Sequence, residues 1–353
     1  MRLRHSSWIR VLLGAAALAA LASPSALRSF ARAFGGVALA QSGPPQTPTA
    51  QCSLRGQSVM PSNAPIVDAL GHAIARFSGA PTPLVATDFP SDAHGKVRVE
   101  TGFGAGSFRI RGFVEPAQLP LFSTANVTVT AGHVWIAANR AVTLIGAASG
   151  RLRVEKKLST PLEQTFRGAA PCSSFSLEAG TPVGFNPAGD SRGYELKQDS
   201  LDLYGDPGAE APVMTLHRSP YVEAVLFSSN ERKGSFVHVA YHGEVLIDGW
   251  AKASDLSALP LDETMDQLAP ATTQHGAPQM ALQGQPRLVR PNKEIPLRRA
   301  AKDSDAVIGV IEPGAETYVL DQVAGWASVL PKSLNVLPAT DGQFWAKSSD
   351  LGL

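Results

Sequence analysis

The sequence predicts an all-β chain built of small barrels or sandwiches, and three observations carry the prediction. Past the N-terminal leader, helical spacing of apolar residues is scarce. Short runs rich in Val, Ile, Phe and Thr are bounded by Gly, Pro, Asn and Asp, the punctuation of short strands. A segment of about 60 residues recurs in the C-terminal half, and a unit that small holds only a compact core.

The leader comes first. Arg2, Arg4 and Arg10 precede an uncharged, Leu- and Ala-rich run from Val11 to Ala22. That is the layout of a secretory signal peptide, and the run is shorter than the ~18 to 20 residues a bilayer-spanning helix needs. Ala38-Leu39-Ala40 sets small residues where a signal peptidase cleaves, so residues 1–40 are read as the leader. Cleavage near Ala26 and an uncleaved anchor are the alternatives. No Leu-small-small sequence precedes Cys52, which argues against a lipid anchor.

Removing residues 1–40 takes away five arginines and no carboxylate, leaving 26 Lys and Arg against 30 Asp and Glu. This mild acidity argues against nucleic acid or anionic lipid as a partner, since both need a concentrated basic surface. No later segment is long and apolar enough to span a membrane. Cys52 and Cys172, the only cysteines, both lie in the exported part. An isolated pair in an oxidising compartment reads as a disulfide, with two buried thiols or a nucleophile as the competing readings.

Two segments have the composition of flexible linkers. Residues 41–65 hold Pro44, Pro45 and Pro48 among small polar residues, and residues 260–292 are rich in Pro, Gln, Ala and Thr. Neither buries enough apolar surface to offset its ordering entropy. They delimit a β-rich region at 66–182, a unit at 183–259 and a unit at 293–353. Within the first, Ile66 to Phe77 carries apolar residues at 66, 67, 70, 74 and 77, close to helical spacing, and predicts a helix. Around it, Lys96 to Val99, Phe108 to Ile110, Val127 to Val129, Val142 to Ile145 and Leu152 to Val154 predict strands.

The two C-terminal units match each other. At an offset of 94, Leu201, Leu203, Val213, Met214, Leu216, Val225 and Leu226 fall on Ile295, Leu297, Val307, Ile308, Val310, Val319 and Leu320 without a gap. Phe236-Val237-His238-Val239 answers Trp326-Ala327-Ser328-Val329, and the copies close on Trp250-Ala251-Lys252-Ala253-Ser254-Asp255-Leu256 and Trp345-Ala346-Lys347-Ser348-Ser349-Asp350-Leu351. The last copy, with Ile295 to Ala301, Val307 to Ala315, Tyr318 to Leu320 and Gly325-Trp326, resembles a bacterial SH3 (SH3b) domain. It departs from the family by inserting Leu330 to Thr340 before its last strand. The earlier copy has Pro220 where the family's turn glycine, here Gly314, would stand, but keeps Gly249-Trp250.

Arg111 to Leu119 looks like a third closing motif, with Phe113 in the tryptophan's place, and Val134 to Ile136 onward offers the strands of a fourth. The β-rich region is therefore one or two divergent SH3-like barrels, or a single unrelated β domain. The resemblance implies tandem SH3-like barrels joined by Pro-rich linkers.

The residues that could carry catalysis have plainer structural readings. Gly102 to Gly106 is a glycine run between two strands, and no helix follows to present its N-terminus to a phosphate. His238 and His242 share one strand face near Glu244, which reads as a solvated face or turn rather than a metal site. Asp202 and Asp206 read as turn formers and His133, beside Trp135, as a strand-end residue. No Gly-x-Ser-x-Gly elbow occurs, and neither cysteine is arranged with a histidine as in papain-like wall hydrolases. No enzyme, cofactor or metal is expected.

In SH3-like barrels the repeated aromatics either complete the core or line a groove. If a groove exists, Tyr318, Trp326 and Trp345 form it in the last copy, and Tyr204 and Trp250 in the copy before. Leader and resemblance together imply an exported, periplasmic or extracellular, non-catalytic protein that holds peptidoglycan or another wall ligand. Docking on envelope proteins as a scaffold is the first alternative, and a wall hydrolase with an unrecognised site in 66–182 the second.

Overall fold

The computed structural model describes residues 52–103, 106–181, 191–260, 286–340 and 342–353. The leader at 1–40 and most of the linker at 260–292 lie outside the described residues. Every named element is a strand or a single turn of 3-10 helix, so the described residues are all-β with antiparallel sheets. They all fall within one compact unit.

Six strands recur in the same order four times. Repeat 1 comprises β1 (Leu54–Val59), β2 (Pro65–Val67), β3 (Ala73–Phe77), β4 (Pro81–Thr87), β5 (Val97–Thr101) and β6 (Phe108–Val114). Repeat 2 comprises β7 (Leu121–Ser123), β8 (Val127–Thr130), β9 (Val134–Ile136), β10 (Ala141–Ala148), β11 (Arg151–Leu158) and β12 (Gln164–Pro171), followed by the short β13 (Phe175–Ser176). Repeat 3 comprises β14 (Arg192–Leu196), β15 (Ser200–Leu203), β16 (Met214–His217), β17 (Leu226–Lys233), β18 (Phe236–His242) and β19 (Val245–Lys252), followed by β20 (Leu256–Ala258). Repeat 4 comprises β21 (Arg287–Val289), β22 (Ile295–Arg298), β23 (Val307–Ile311), β24 (Thr317–Val323), β25 (Trp326–Pro331) and β27 (Phe344–Lys347), with an added β26 (Val336–Pro338) before the last.

The pairing within each repeat is the same. The leading strand pairs with the fourth, the second with the third, the fourth with the fifth, and the fifth with the closing strand. The closing strand crosses the end of the repeat's own second element, through Val67↔Phe113, Tyr204↔Trp250 and Arg298↔Trp345. Phe113 thus holds the place of the two tryptophans. A 3-10 turn then follows at Pro116–Gln118, Cys172–Ser174 and Ala253–Asp255.

Local chemistry explains these elements. The alternation of buried and exposed residues in β1, β4, β6 and β18 is the period-2 signature of a strand with one face on the core. The fourth and fifth strands of repeat 2, β10 and β11, join at Ser149-Gly150, and those of repeat 4, β24 and β25, at Ala324-Gly325, two-residue turns with positive φ at both positions (50° and 73°, then 50° and 82°). That geometry matches the twist of the strands it connects.

Three expectations are corrected. Ile66 to Phe77 is a hairpin, not a helix: Asp68 Oδ1 accepts from the Leu70 and His72 N–H groups at 2.9 Å each, Gly71 takes φ 91°, and Leu70 is left 82% exposed. The apolar spacing there came from two short strands, whose Ile66, Ile74 and Phe77 are buried. The flexible segment expected through Pro65 gives way at Leu54, where β1 buries Leu54, Gly56 and Ser58 and pairs along its length with β4. The linker composition expected through Asn292 likewise ends at Arg287, where β21 begins.

The ladders also run between repeats, and the hydrogen-bonded orders are open paths. β23 of repeat 4 pairs with β6 of repeat 1, and β9 of repeat 2 with β19 of repeat 3. The inserted segment Leu330 to Thr340 forms β26, which lies on β3 of repeat 1, with Val336 and Leu337 buried and the Ser78 N–H donating to Asn335 O at 3.1 Å. Tandem barrels were expected; what is observed is a set of antiparallel sheets shared between repeats. Cys52 and Cys172 form a disulfide with 5.7 Å between Cα atoms, joining the segment before β1 to the turn after β12.

Candidate functional site

The sequence match between the two C-terminal copies corresponds to matched placement at its start, where Leu201 and Leu203 of β15 and Ile295 and Leu297 of β22 are all buried. Farther on the register shifts: Leu201 stands opposite Leu216 but Ile295 opposite Ile311, and Val225 precedes β17 whereas Val319 lies inside β24. The shared closing motif realigns the copies and sets Trp250 and Lys252, and Trp345 and Lys347, on one sheet face in each.

In repeat 3 that face is built by β18 and β19. Residues directly opposite in an antiparallel pair point the same way, so Phe236↔Lys252, His238↔Trp250 and Ala240↔Asp248 share a face. Tyr204 joins it through paired backbone hydrogen bonds with Trp250, 2.7 and 2.8 Å long. The Tyr204 and Phe236 rings meet edge to face at 5.5 Å, and the His238 ring leans on Trp250 at 4.9 Å. Lys233 Nζ stands 5.1 Å from the Trp250 ring centre and Lys252 Nζ 5.4 Å from that of Tyr204. In each such contact the ammonium is attracted by the negative face of the ring. The hydrogen bond to Tyr204, with the attraction of Asp255 and Asp202, holds the Lys252 ammonium above its ordinary pKa.

Asp248 organises the edge of this face. His238 Nε2 lies 2.8 Å from Asp248 Oδ1, and the His133 ring, from repeat 2, reaches the Asp248 carbonyl with Nδ1 at 3.1 Å. His242 is on the same strand face as His238, as its even spacing predicts. Burial lowers the His242 pKa, and Asp248 opposes that shift. On the other side of the strand, burial and the neighbouring Glu244 push the Tyr241 phenol up to about 12. Asp202 is no turn former: it sits on β15, and its Oδ1 accepts a 2.7 Å hydrogen bond from Thr215 across the pair with β16.

Repeat 4 carries the equivalent face. Trp326↔Lys347, Ser328↔Trp345 and Tyr318↔Leu330 place Tyr318, Trp326 and Trp345 on one side of the sheet. Lys347 Nζ lies 5.8 Å from the Trp326 ring centre and 2.7 Å from Asp303 Oδ1. Position for position, Arg298 stands where Tyr204 does, Trp326 where Phe236 does, Trp345 where Trp250 does and Lys347 where Lys252 does. Repeats 1 and 2 lack the pairing: Phe113 faces Arg98 in the first, and Ala169 faces Arg153 in the second.

The five aromatics singled out from sequence thus fall into two groups, Tyr204 with Trp250 in direct contact, and Tyr318, Trp326 and Trp345 on one face. Their exposure differs. Tyr204, Trp250 and Trp326 are only 4%, 7% and 8% exposed, whereas Tyr318 and Trp345 are half-buried. The buried three lie under their lysines as small outer cores. Sequence reasoning missed Phe236, Lys233, Lys252, Lys347 and Asp248. Lys252 and Lys347 were visible in the repeated Trp-Ala-Lys triplet and Lys233 was not, and the contact of each with an aromatic depends on cross-strand register.

Among the described residues, no group of three or more His, Cys, Asp and Glu side chains is placed to hold a metal ion, and no helix is long and apolar enough to cross a membrane. Compared with family models, with curated proteins and with solved structures, the chain matches none.

Proposed function

We propose that this is an exported, non-catalytic protein of the bacterial cell envelope, and that its C-terminal SH3b-like repeats hold peptidoglycan or another wall ligand. The observation that carries the reading is the recurrence of one cation–aromatic face at equivalent positions of repeats 3 and 4. Aromatic edges and faces suit sugar rings and aliphatic side chains, and the lysines beside them suit the carboxylates of acidic stem peptides. Two such faces on one chain raise retention on a polymeric ligand far beyond that of either alone. The leader read in residues 1–40 and the Cys52–Cys172 disulfide both fit an oxidising, extracytoplasmic setting.

The test is a pull-down of the mature chain on purified sacculi, with cellulose as the control polymer. Salt-sensitive retention on sacculi alone supports the reading, and passage through both sinks it. Docking on an envelope protein is the second reading. It is favoured by the burial of three aromatics, which leaves less ring surface for a glycan, and by Tyr221, 82% exposed on the loop before β17. Recovery of a stoichiometric protein partner without wall fragments would select it.

A further inference from the structure

The pairing between repeats is reciprocal. β23 in repeat 4 lies on the closing strand of repeat 1, and β3 in repeat 1 lies on the segment leading into the closing strand of repeat 4. The inner pair repeats the scheme. β9 in repeat 2 lies on the closing strand of repeat 3, and Arg218, just past β16 of repeat 3, bridges Leu162, just ahead of the closing strand of repeat 2. The Glu163 and Ser219 N–H groups complete that bridge, donating to His217 O and Pro161 O at 2.9 Å each. Among the described residues, no ladder joins repeat 1 to repeat 2 or repeat 3 to repeat 4.

Contacts in which i meets j and j meets i are the mark of a twofold, self-complementary interface. We infer that the chain is two equivalent two-repeat units in one polypeptide, residues 52–181 and 191–353, and that the partner each unit fits is another copy of such a unit. Either unit alone would leave third and closing strands as open edges, the kind of surface that recruits a further strand. The outer seam is specific as well as extended. A Cβ at Gly309 would stand 2.4 Å from Arg109 O and 3.0 Å from the Ile110 Cα, so the atoms nearest to it belong to repeat 1. Arg109 crosses the same seam to Glu294 and Glu312, at 2.8 Å each. The inner seam brings His133 to Asp248, so the face on repeat 3 is completed by the other unit. This inference rests on strand pairing and does not depend on what that face binds.

The experiment uses the full mature chain with a protease site inserted between Thr181 and Ser191, cut after folding. The disulfide lies within the first unit and does not tie the two together. The cut units are expected to co-elute as one 1:1 species at the mass of the uncut chain and to re-form it after unfolding and mixing. Gly309→Ala is expected to weaken their association about tenfold, through overpacking against backbone. Separation of the cut wild type into two independently folded units overturns the inference, as does an unchanged affinity in Gly309→Ala. Should Gly309→Ala unfold the uncut chain, Arg109→Gln decides: it removes both seam ion pairs without adding volume, and weaker association is again expected, unchanged association overturning the inference.

Discussion

Three glycines mark where a closing strand crosses its own repeat, and replacing each by alanine gives a graded test of the repeat architecture. A Cβ at Gly168 would come within 2.5 Å of Thr128 O, a backbone atom. At Gly112 it would meet the Ile66 Cγ2 at 2.5 Å and Val67 O at 2.7 Å. At Gly249 the nearest atoms are Leu203 Cδ1 and Cγ, at 2.8 and 2.9 Å, with Tyr204 O at 3.1 Å. None of the three has positive φ, so the penalty is contact rather than backbone conformation. Overpacking a closed site costs about 1 to 3 kcal/mol, offset by the ~0.5 to 1 kcal/mol that alanine gains over glycine in an extended strand. Leu203 can change rotamer, whereas the backbone of β8 and the Ile66–Val67 segment cannot retreat without losing pairs. The expected order of destabilisation is therefore Gly168→Ala and Gly112→Ala at about 2 kcal/mol, with Gly249→Ala nearer 1. Urea unfolding followed by circular dichroism reads this as midpoint shifts of roughly 0.5 to 1 M for the first two. Gly249→Ala equalling or exceeding Gly168→Ala, or all three matching the wild type, would refute the crossing argument.

Two further outcomes follow from the same geometry. Replacing Cys52 and Cys172 by serine reopens a loop closed over a sequence separation of 120 residues, with a loss of about 5 kcal/mol on the loop-entropy model; thermal melts of the oxidised protein and the double variant measure it, and equal midpoints would contradict a structural role. His242, whose pKa is lowered by burial, favours the fold in its neutral form. The unfolded chain then binds more protons between the folded pKa and the ordinary value of about 6.5, so stability falls as pH drops through that window. His242→Phe is expected to flatten the stability profile between neutral and mildly acidic pH, and an unaltered slope in that variant would assign the effect elsewhere.

Local pattern carried much of the fold into the sequence. The run Phe236 to Val239 announced β18, and the repeated Leu201 and Leu203 against Ile295 and Leu297 announced equivalent cores. What stayed hidden was non-local. Ile66 to Phe77 has helical spacing only because two short strands and an Asp68-capped turn happen to sum to it. The seams between repeats leave no periodic trace, since strand edges pair through backbone groups that every strand carries. The insertion from Leu330 to Thr340 looked like a disturbed binding loop, yet it supplies the strand that grips repeat 1. For the candidate site, the aromatics were legible from repetition, while their burial and their covering by Lys233, Lys252 and Lys347 were not, because those contacts follow from register.

The reading of the repeated faces is tested most directly by charge reversal at the two equivalent lysines, Lys252 and Lys347, both at the surface. Retention on sacculi is measured for the mature chain, for Lys252→Glu, for Lys347→Glu and for the double variant, with circular dichroism confirming the fold of each. If the faces bind together, each single change weakens retention about tenfold or more through lost avidity, and the double change abolishes it. Retention of the double variant equal to that of the wild type would contradict the account.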